Sequence, residues 1–275
     1  MYRRTPRLAV ASLALCATAA ALVPAVAASA ATATAGTLVK SNPHASLPLN
    51  GGTTTSLNWA GYAVTPASHD VTAVSSTFVV PSAGLVPPGF AATWTGIGGY
   101  NTSDLIQAGV SENSLPDNPL SGAQYGAWYE ILPASETPID GCTGDAACTV
   151  KPGDKVSVDI SLRSAGQWLI SIADPTEGWT WSKTVAYASS RSSAEWIHEA
   201  PTLVVQTLVA NTGTTRLGPT STFTTASGGT RTIAQGNPTL INMGPGLINE
   251  ATTSPLASDG QSFNVCAYAQ TCAAP

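Results

Sequence analysis

The chain has 275 residues, and only 10% of them are charged, against about 25% in an average globular protein. The formal net charge is −5 and no basic residues cluster outside the first seven positions, which excludes nucleic acid as a partner. With so little charge, few carboxylates need to stay ionised for the fold to hold, so acid should destabilise it less than most.

The first thirty residues read as an export signal. Arg3, Arg4 and Arg7 precede an apolar run over residues 8–27, and Ala28-Ser29-Ala30 follows as a small-residue cleavage site. A transmembrane anchor is the competing reading. It ranks lower because the cleavage-like site follows directly and no later stretch is comparably apolar. Residues 1–30 are thus expected to be removed, leaving a secreted, extracellular protein without a membrane segment. Residues 31–54 are Ala, Thr, Ser, Gly and Pro without periodicity, which reads as a disordered leader or short propeptide. Residues 55–275 are expected to form one all-β domain, a monomer.

From Leu57 onward, short β-like runs alternate with Pro, Gly and Ser/Thr clusters. Strands are expected over 57–64, 71–80, 91–97, 105–111 and 125–132, with loops at 112–122 and 134–149. The turn at Pro152-Gly153-Asp154 feeds a run over 155–162 that alternates as Val156, Val158, Ile160, Leu162. Further strands follow over 167–173, 179–188, around Glu195, and over 203–209, 221–225, 239–243 and 261–268. Roughly a dozen short strands at this spacing, with no amphipathic helix of ordinary length, point to a sandwich of two antiparallel sheets.

Four cysteines follow the signal: Cys142, Cys148, Cys266 and Cys272. They form two close pairs in an exported chain, which favours disulfides. Local pairing, Cys142–Cys148 and Cys266–Cys272, is the simplest of three connectivities. A zinc site is the weaker alternative, because the spacing is long and no histidine is near.

The three histidines, His44, His69 and His198, form no H-E-x-x-H, and the chain has no G-x-S-x-G elbow and no nucleotide-binding loop. No metal and no cofactor is expected. What stands out is polar groups in apolar company. In Ala194-Glu195-Trp196-Ile197-His198-Glu199, alternation sets Glu195, Ile197 and Glu199 on one face and Trp196 and His198 on the other. In residues 105–110, Leu105, Gln107 and Gly109 share a face. In residues 125–132, Trp128 and Glu130 share one. Alone, each is as consistent with a satisfied structural network as with chemistry.

Taken in order, Asn58-Trp59-Ala60-Gly61-Tyr62, Thr77-Phe78-Val79-Val80-Pro81, Trp94-Thr95-Gly96-Ile97-Gly98-Gly99, Leu105-Ile106-Gln107-Ala108-Gly109, Tyr125-Gly126-Ala127-Trp128-Tyr129-Glu130 and Ala194-Glu195-Trp196-Ile197 resemble the glutamic peptidases, or eqolisins, a family of secreted acid endopeptidases. The resemblance implies a concanavalin-like sandwich of two antiparallel sheets with a concave substrate groove. It puts the catalytic pair on Gln107 and Glu195, and cleft-lining positions on Trp59, Trp128 and Glu130. The implied partners are protein or peptide substrates. Glu195 would be the general base and acid, and Gln107 the oxyanion donor. Many members carry Asp where this chain has Gly98 and Gly126. The expectation is that these glycines remove like charges that would raise the pKa of Glu195.

Two other functions compete. A non-catalytic, lectin-like sandwich would use Trp59, Trp128, Trp179 and Trp181 to stack on sugar rings. A glycosidase would pair Glu130 with Glu195 as facing carboxylates.

Overall fold

A computed structural model describes residues 52–114, 122–202, 207–244 and 249–275. The expected signal, most of the expected leader, His44 and part of the strand expected over 203–209 lie outside the described residues. The first strands are β1 (Gly52–Ser56), β2 (Trp59–Val64), β3 (Val71–Val79), β4 (Ala92–Gly98), β5 (Leu105–Asn113) and β6 (Gln124–Ile131). Then come β7 (Thr137–Pro138), β8 (Lys155–Ser164), β9 (Gln167–Asp174), β10 (Trp179–Ala186) and β11 (Ala194–Glu199). The last are β12 (Thr214–Leu217), β13 (Thr222–Thr225), β14 (Gly229–Thr232), β15 (Thr239–Met243), β16 (Ala251–Thr253) and β17 (Phe263–Ala267). A single 3₁₀ turn, Ala234–Gly236, is the one helical element among the described residues.

The ladders form one hydrogen-bonded network folded into two layers. The inner layer runs β1-β15-β2-β11-β4-β5-β6-β7. The outer layer runs β10-β9-β8-β3. The other edge of β3 is shared by β13, which continues to β14, and by β12, which continues to β17 and β16. One pair, Met243 with Ala251, ties the layers together. Every ladder between these strands is antiparallel except β1 with β15. The all-β sandwich is therefore as the sequence implies, with this parallel edge as a departure. The short strands β7, β12, β14 and β16 lack a pattern of their own and are held by their neighbours' ladders, so the sequence does not announce them.

Outer strands obey the one-sided rule. Val156, Val158, Ile160, Trp168, Ile170 and Ile172 are buried, and the residues between them are more exposed. Inner strands β2, β4 and β11 are buried at every position. One of their faces, with Ile97, Ile106, Ala108 and Trp196, packs against the outer layer to make the main core. The other carries a second apolar cluster of Trp59, Ala63, Trp94, Leu105, Trp128 and Ile197.

Trp196 bolts the two layers together. Its indole is fully buried, donates from Nε1 to the Ser75 carbonyl across the core at 2.8 Å, and meets the Phe223 ring edge-on at 6.5 Å. Burying a ring of this size contributes on the order of 3 kcal/mol. Two disulfides, Cys142–Cys148 and Cys266–Cys272, staple loops in the local pairing. They exclude the zinc alternative.

Candidate active site

Register brings the predicted polar residues together. β11 and β5 lie on either side of β4, and Gly96 is opposite Glu195 on one side and Gln107 on the other. Gln107 is in turn opposite Glu130 on β6, and Glu195 is opposite Ala63 on β2. One straight row thus reads Glu130, Gln107, Gly96, Glu195, Ala63. Two strand spacings put the Gln107 and Glu195 backbones about 10 Å apart. Both side chains rise from the face that carries the second apolar cluster, and the residue between them has none. A side chain at Gly96 would fill that gap, since a Cβ there would lie 3.1 Å from Gln107 Cβ and 3.0 Å from Leu105 Cδ1.

Both members of the pair are fully buried. Gln107 donates from Nε2 to Glu130 Oε2 at 2.5 Å, which fixes the plane of its amide. Glu195 is different: neither carboxylate oxygen makes a well-formed hydrogen bond, and only the Ser193 hydroxyl and the Tyr100 backbone approach it as looser donors. Burial pushes its carboxyl well above the usual 4.5. The nearby Ser193 hydroxyl opposes that rise, the Asp104 charge adds to it, and the Tyr100 backbone opposes it. The buried Trp128 Nε1 also has no hydrogen-bond partner. Glu195 and Trp128 lie on the face that carries the second apolar cluster.

Glu199, four residues on, faces the same way and is anchored. Asn58 Nδ2 donates to its Oε1 at 3.0 Å and Trp94 Nε1 to its Oε2 at 2.7 Å. Trp59 packs edge-on against Trp94, with centroids 5.0 Å apart. A third carboxyl, Glu136, sits at the end of the row. Burial, then the charges of Glu130 and Glu199, push it up to about 8.

His198 points into the main core, opposite Glu195 as alternation predicts. Its Nδ1 shares a hydrogen bond with Thr93 and its Nε2 with Thr212, at 3.0 and 3.1 Å. Burial lowers it to about 4. Glu112 shares that face and is held well above its usual range by burial, against a weaker pull from Thr93.

A sequence model of the peptidase A4 family matches residues 57–265. The chain belongs to that family, the glutamic peptidases. No curated protein matches it by sequence. Among solved structures it is similar to scytalido-glutamic peptidase bound to a transition-state analogue inhibitor, with a TM-score of 0.60 and 19% identity over 77% of this chain and 98% of that one. It is also similar to SCP-B, an eqolisin in complex with the tripeptide Ala-Ile-His, with a TM-score of 0.57 and 18% identity over 77% and 98% of the two chains. Aspergilloglutamic peptidase from Aspergillus niger gives a TM-score of 0.52 and 20% identity over 65% and 99%.

In this glutamic peptidase the positions expected to line the cleft lie on the same face as the pair. Trp59 is packed under Trp94, Trp128 is 3% exposed, and Glu130 is spent on Gln107. Of the rings that would have stacked on sugars, Trp179 is fully buried in the main core, and Trp181 is partly exposed and stacks on Tyr129 at 5.2 Å. Glu130 and Glu195 stand three strands apart with Gln107 between them, and Glu130 is taken up by the Gln107 amide rather than left facing Glu195 as a glycosidase pair requires. The charge expected to be missing at Gly98 is not missing. Gly98 has φ +86, and a Cβ there would lie 2.8 Å from Asp104 Oδ2, so a carboxylate from the following loop occupies the space. Gly96, Asp104, Glu136 and the partners of Glu199 escaped the sequence reading, because only the ladder register reveals them.

Proposed function

We propose that this chain is a secreted glutamic endopeptidase that hydrolyses protein substrates at acidic pH, with Glu195 and Gln107 as its catalytic pair. The observation that carries the reading is the row in which the two side chains flank Gly96. The reading places one water and one scissile carbonyl over that glycine. Ionised Glu195 takes a proton from the water as its oxygen attacks the carbonyl carbon. The carbonyl oxygen becomes an oxyanion and accepts from the Gln107 amide, whose plane Glu130 holds. Glu195 then gives the proton to the leaving nitrogen, the C–N bond breaks, and the carboxylate is regenerated. A carboxylate approached only by looser donors is a stronger base than one that accepts two short hydrogen bonds, which favours Glu195 over Glu199 for this role.

Two opposed trends bound the working pH range. The base must be ionised, which pulls activity upward in pH. The fold holds several buried carboxyls in the neutral form, which pulls stability downward in pH. Export is supported by the first thirty residues and by two disulfides, which persist in oxidising compartments.

The test is cleavage of a denatured protein from about pH 2 to 7 by wild type, Glu195→Gln and Gln107→Ala. The first variant should lose activity about 10³-fold and the second about 10²-fold. Full activity in Glu195→Gln would sink the assignment.

A further inference from the structure

The face that holds Gln107 continues along β5 and β6 into a pocket of its own. Ser111 and Asn113 follow Gln107 on the same side of β5, and the ladder sets them opposite Gly126 and Gln124 of β6. With Glu136, just ahead of β7, and Pro138 within it, these residues line a cavity of about 30 Å³. None of its lining residues is a Lys or Arg. Two of them have acceptors to spare. Asn113 Oδ1 is buried and has no hydrogen-bond partner among the described residues. Glu136 is 7% exposed, and its surroundings act on it through burial and the charges of Glu130 and Glu199, with no hydrogen bond from a described residue. The Ser111 hydroxyl is spent on the Gly126 carbonyl at 3.2 Å. The space exists because β6 has no side chain at Gly126: a Cβ there would meet only Ser111 Oγ, at 3.7 Å.

We propose that this pocket is a substrate subsite in which Glu136 and Asn113 select a side-chain carboxamide, Gln or Asn, about four residues from the scissile bond. The proposal rests on the catalytic reading of Gln107 and Glu195 above. Distance sets the position. Ser111 lies four residues beyond Gln107 on β5, about 13 Å along the strand, and an extended peptide covers about 3.3–3.6 Å per residue. Size sets the head group. One water needs roughly 10–15 Å³, so a cavity of about 30 Å³ admits a head of a few atoms and rejects an aromatic ring or a guanidinium. Charge sets the rest. Glu136 is protonated at acidic pH, because burial and then the charges of Glu130 and Glu199 push it up to about 8. Among the other lining groups only Tyr125 titrates, and burial raises it too. A protonated carboxyl has one O–H to give and an oxygen to receive. A carboxamide matches that set: its oxygen accepts from Glu136, and its NH2 donates to Asn113 Oδ1. A lysine ammonium would be buried there without a counter-charge. A carboxylate would bring a further acceptor to Asn113 Oδ1, and an apolar head would leave both lining acceptors unsatisfied.

The experiment uses peptides in which one residue at a time, out to about five positions either side of the cleaved bond, is Gln, Lys, Leu or Glu. At about pH 4, kcat/KM is measured for wild type, Glu136→Gln, Glu136→Ala and Gly126→Leu. Binding of the same peptides, fluorescently labelled, to Glu195→Gln is read by anisotropy at the same pH. At a position about four residues from the bond, wild type should favour Gln over Leu, Lys and Glu about tenfold. Glu136→Gln keeps a donor and an acceptor and should retain the preference. Glu136→Ala removes the partner and Gly126→Leu fills the pocket, so each should erase the preference while peptides with Leu at that position are still cleaved. A preference for Lys, a preference confined to positions next to the bond, or no preference at any position overturns the proposal. The anisotropy arm is read without cleavage. If Glu195→Gln binds the Gln peptide selectively and wild type cleaves nothing, the peptidase reading has failed and the subsite has not. If wild type cleaves every peptide alike, the subsite has failed and the peptidase reading stands.

Discussion

The two ends of β11 carry the same side chain in opposite circumstances. Glu195 and Glu199 share a strand and a face, and both are buried. Glu199 accepts two short hydrogen bonds from Asn58 and Trp94, whereas Glu195 is approached only by looser donors, the Ser193 hydroxyl and the Tyr100 backbone. A buried carboxylate with full partners is an anchor, because its loss leaves donors stranded. A buried carboxylate without firm partners is a cost the fold carries for another reason. The contrast agrees with the proposal that Glu199 is the structural acid and Glu195 the chemical one.

The sharpest way to break the comparison is to remove each acid and measure stability. Glu199→Ala strands the Asn58 amide and the Trp94 indole N–H and should cost about 3 kcal/mol in urea unfolding. Glu195→Gln removes no well-formed hydrogen bond and should cost less than about 1 kcal/mol, while abolishing cleavage. The reverse order would show that the roles had been assigned to the wrong ends of the strand.

A smaller effect concerns pH. A carboxyl whose pKa is raised by folding binds its proton more tightly in the native state. Its contribution is fully present below the unfolded value and is lost as pH rises through the folded one. For Glu136 that window runs from 4.5 to about 8, and Glu112 and Glu195 act in the same direction. His198, lowered from 6.5 to about 4 by burial, opposes them, and its cost appears as pH falls between those values. Three acids outweigh one base, so the melting temperature should decline from about pH 4.5 toward 8. Glu136→Gln should flatten that decline, and an unchanged slope would remove Glu136 from the account.

The smallest effect belongs to the spacer. Gly96→Ala brings a methyl against Gln107 and Leu105. It should cost about 1–2 kcal/mol of stability and lower kcat/KM about tenfold by crowding the gap. An active-site titration with a tight inhibitor would tell crowding from unfolding.

Alternation made the faces legible from sequence. Gln107 with Leu105 and Gly109, Trp128 with Glu130, and Glu195 with Glu199 all fall on the side expected, because a strand repeats every two residues whatever it pairs with. What alternation cannot supply is which strand lies beside which. Gly96 becomes a spacer only because β4 is inserted between β5 and β11, and the β4–β11 ladder that completes this order joins residues about a hundred positions apart. Asp104 and Glu136 sit in segments that read as loops, and their proximity to Glu195 and Glu130 is likewise a matter of tertiary pairing. The short strands β7 and β14 went unseen for the same reason.

Trp196 gives this arrangement a further meaning. It is the chain neighbour of Glu195, yet its indole is pinned to Ser75 and Phe223 in the outer layer. The height of β11 is therefore set in part from the far side of the sandwich. Selection acting on Phe223 or the loops around β13 can retune the enzyme while every cleft residue stays as it is. An engineer seeking a different working range can begin at the back of the molecule.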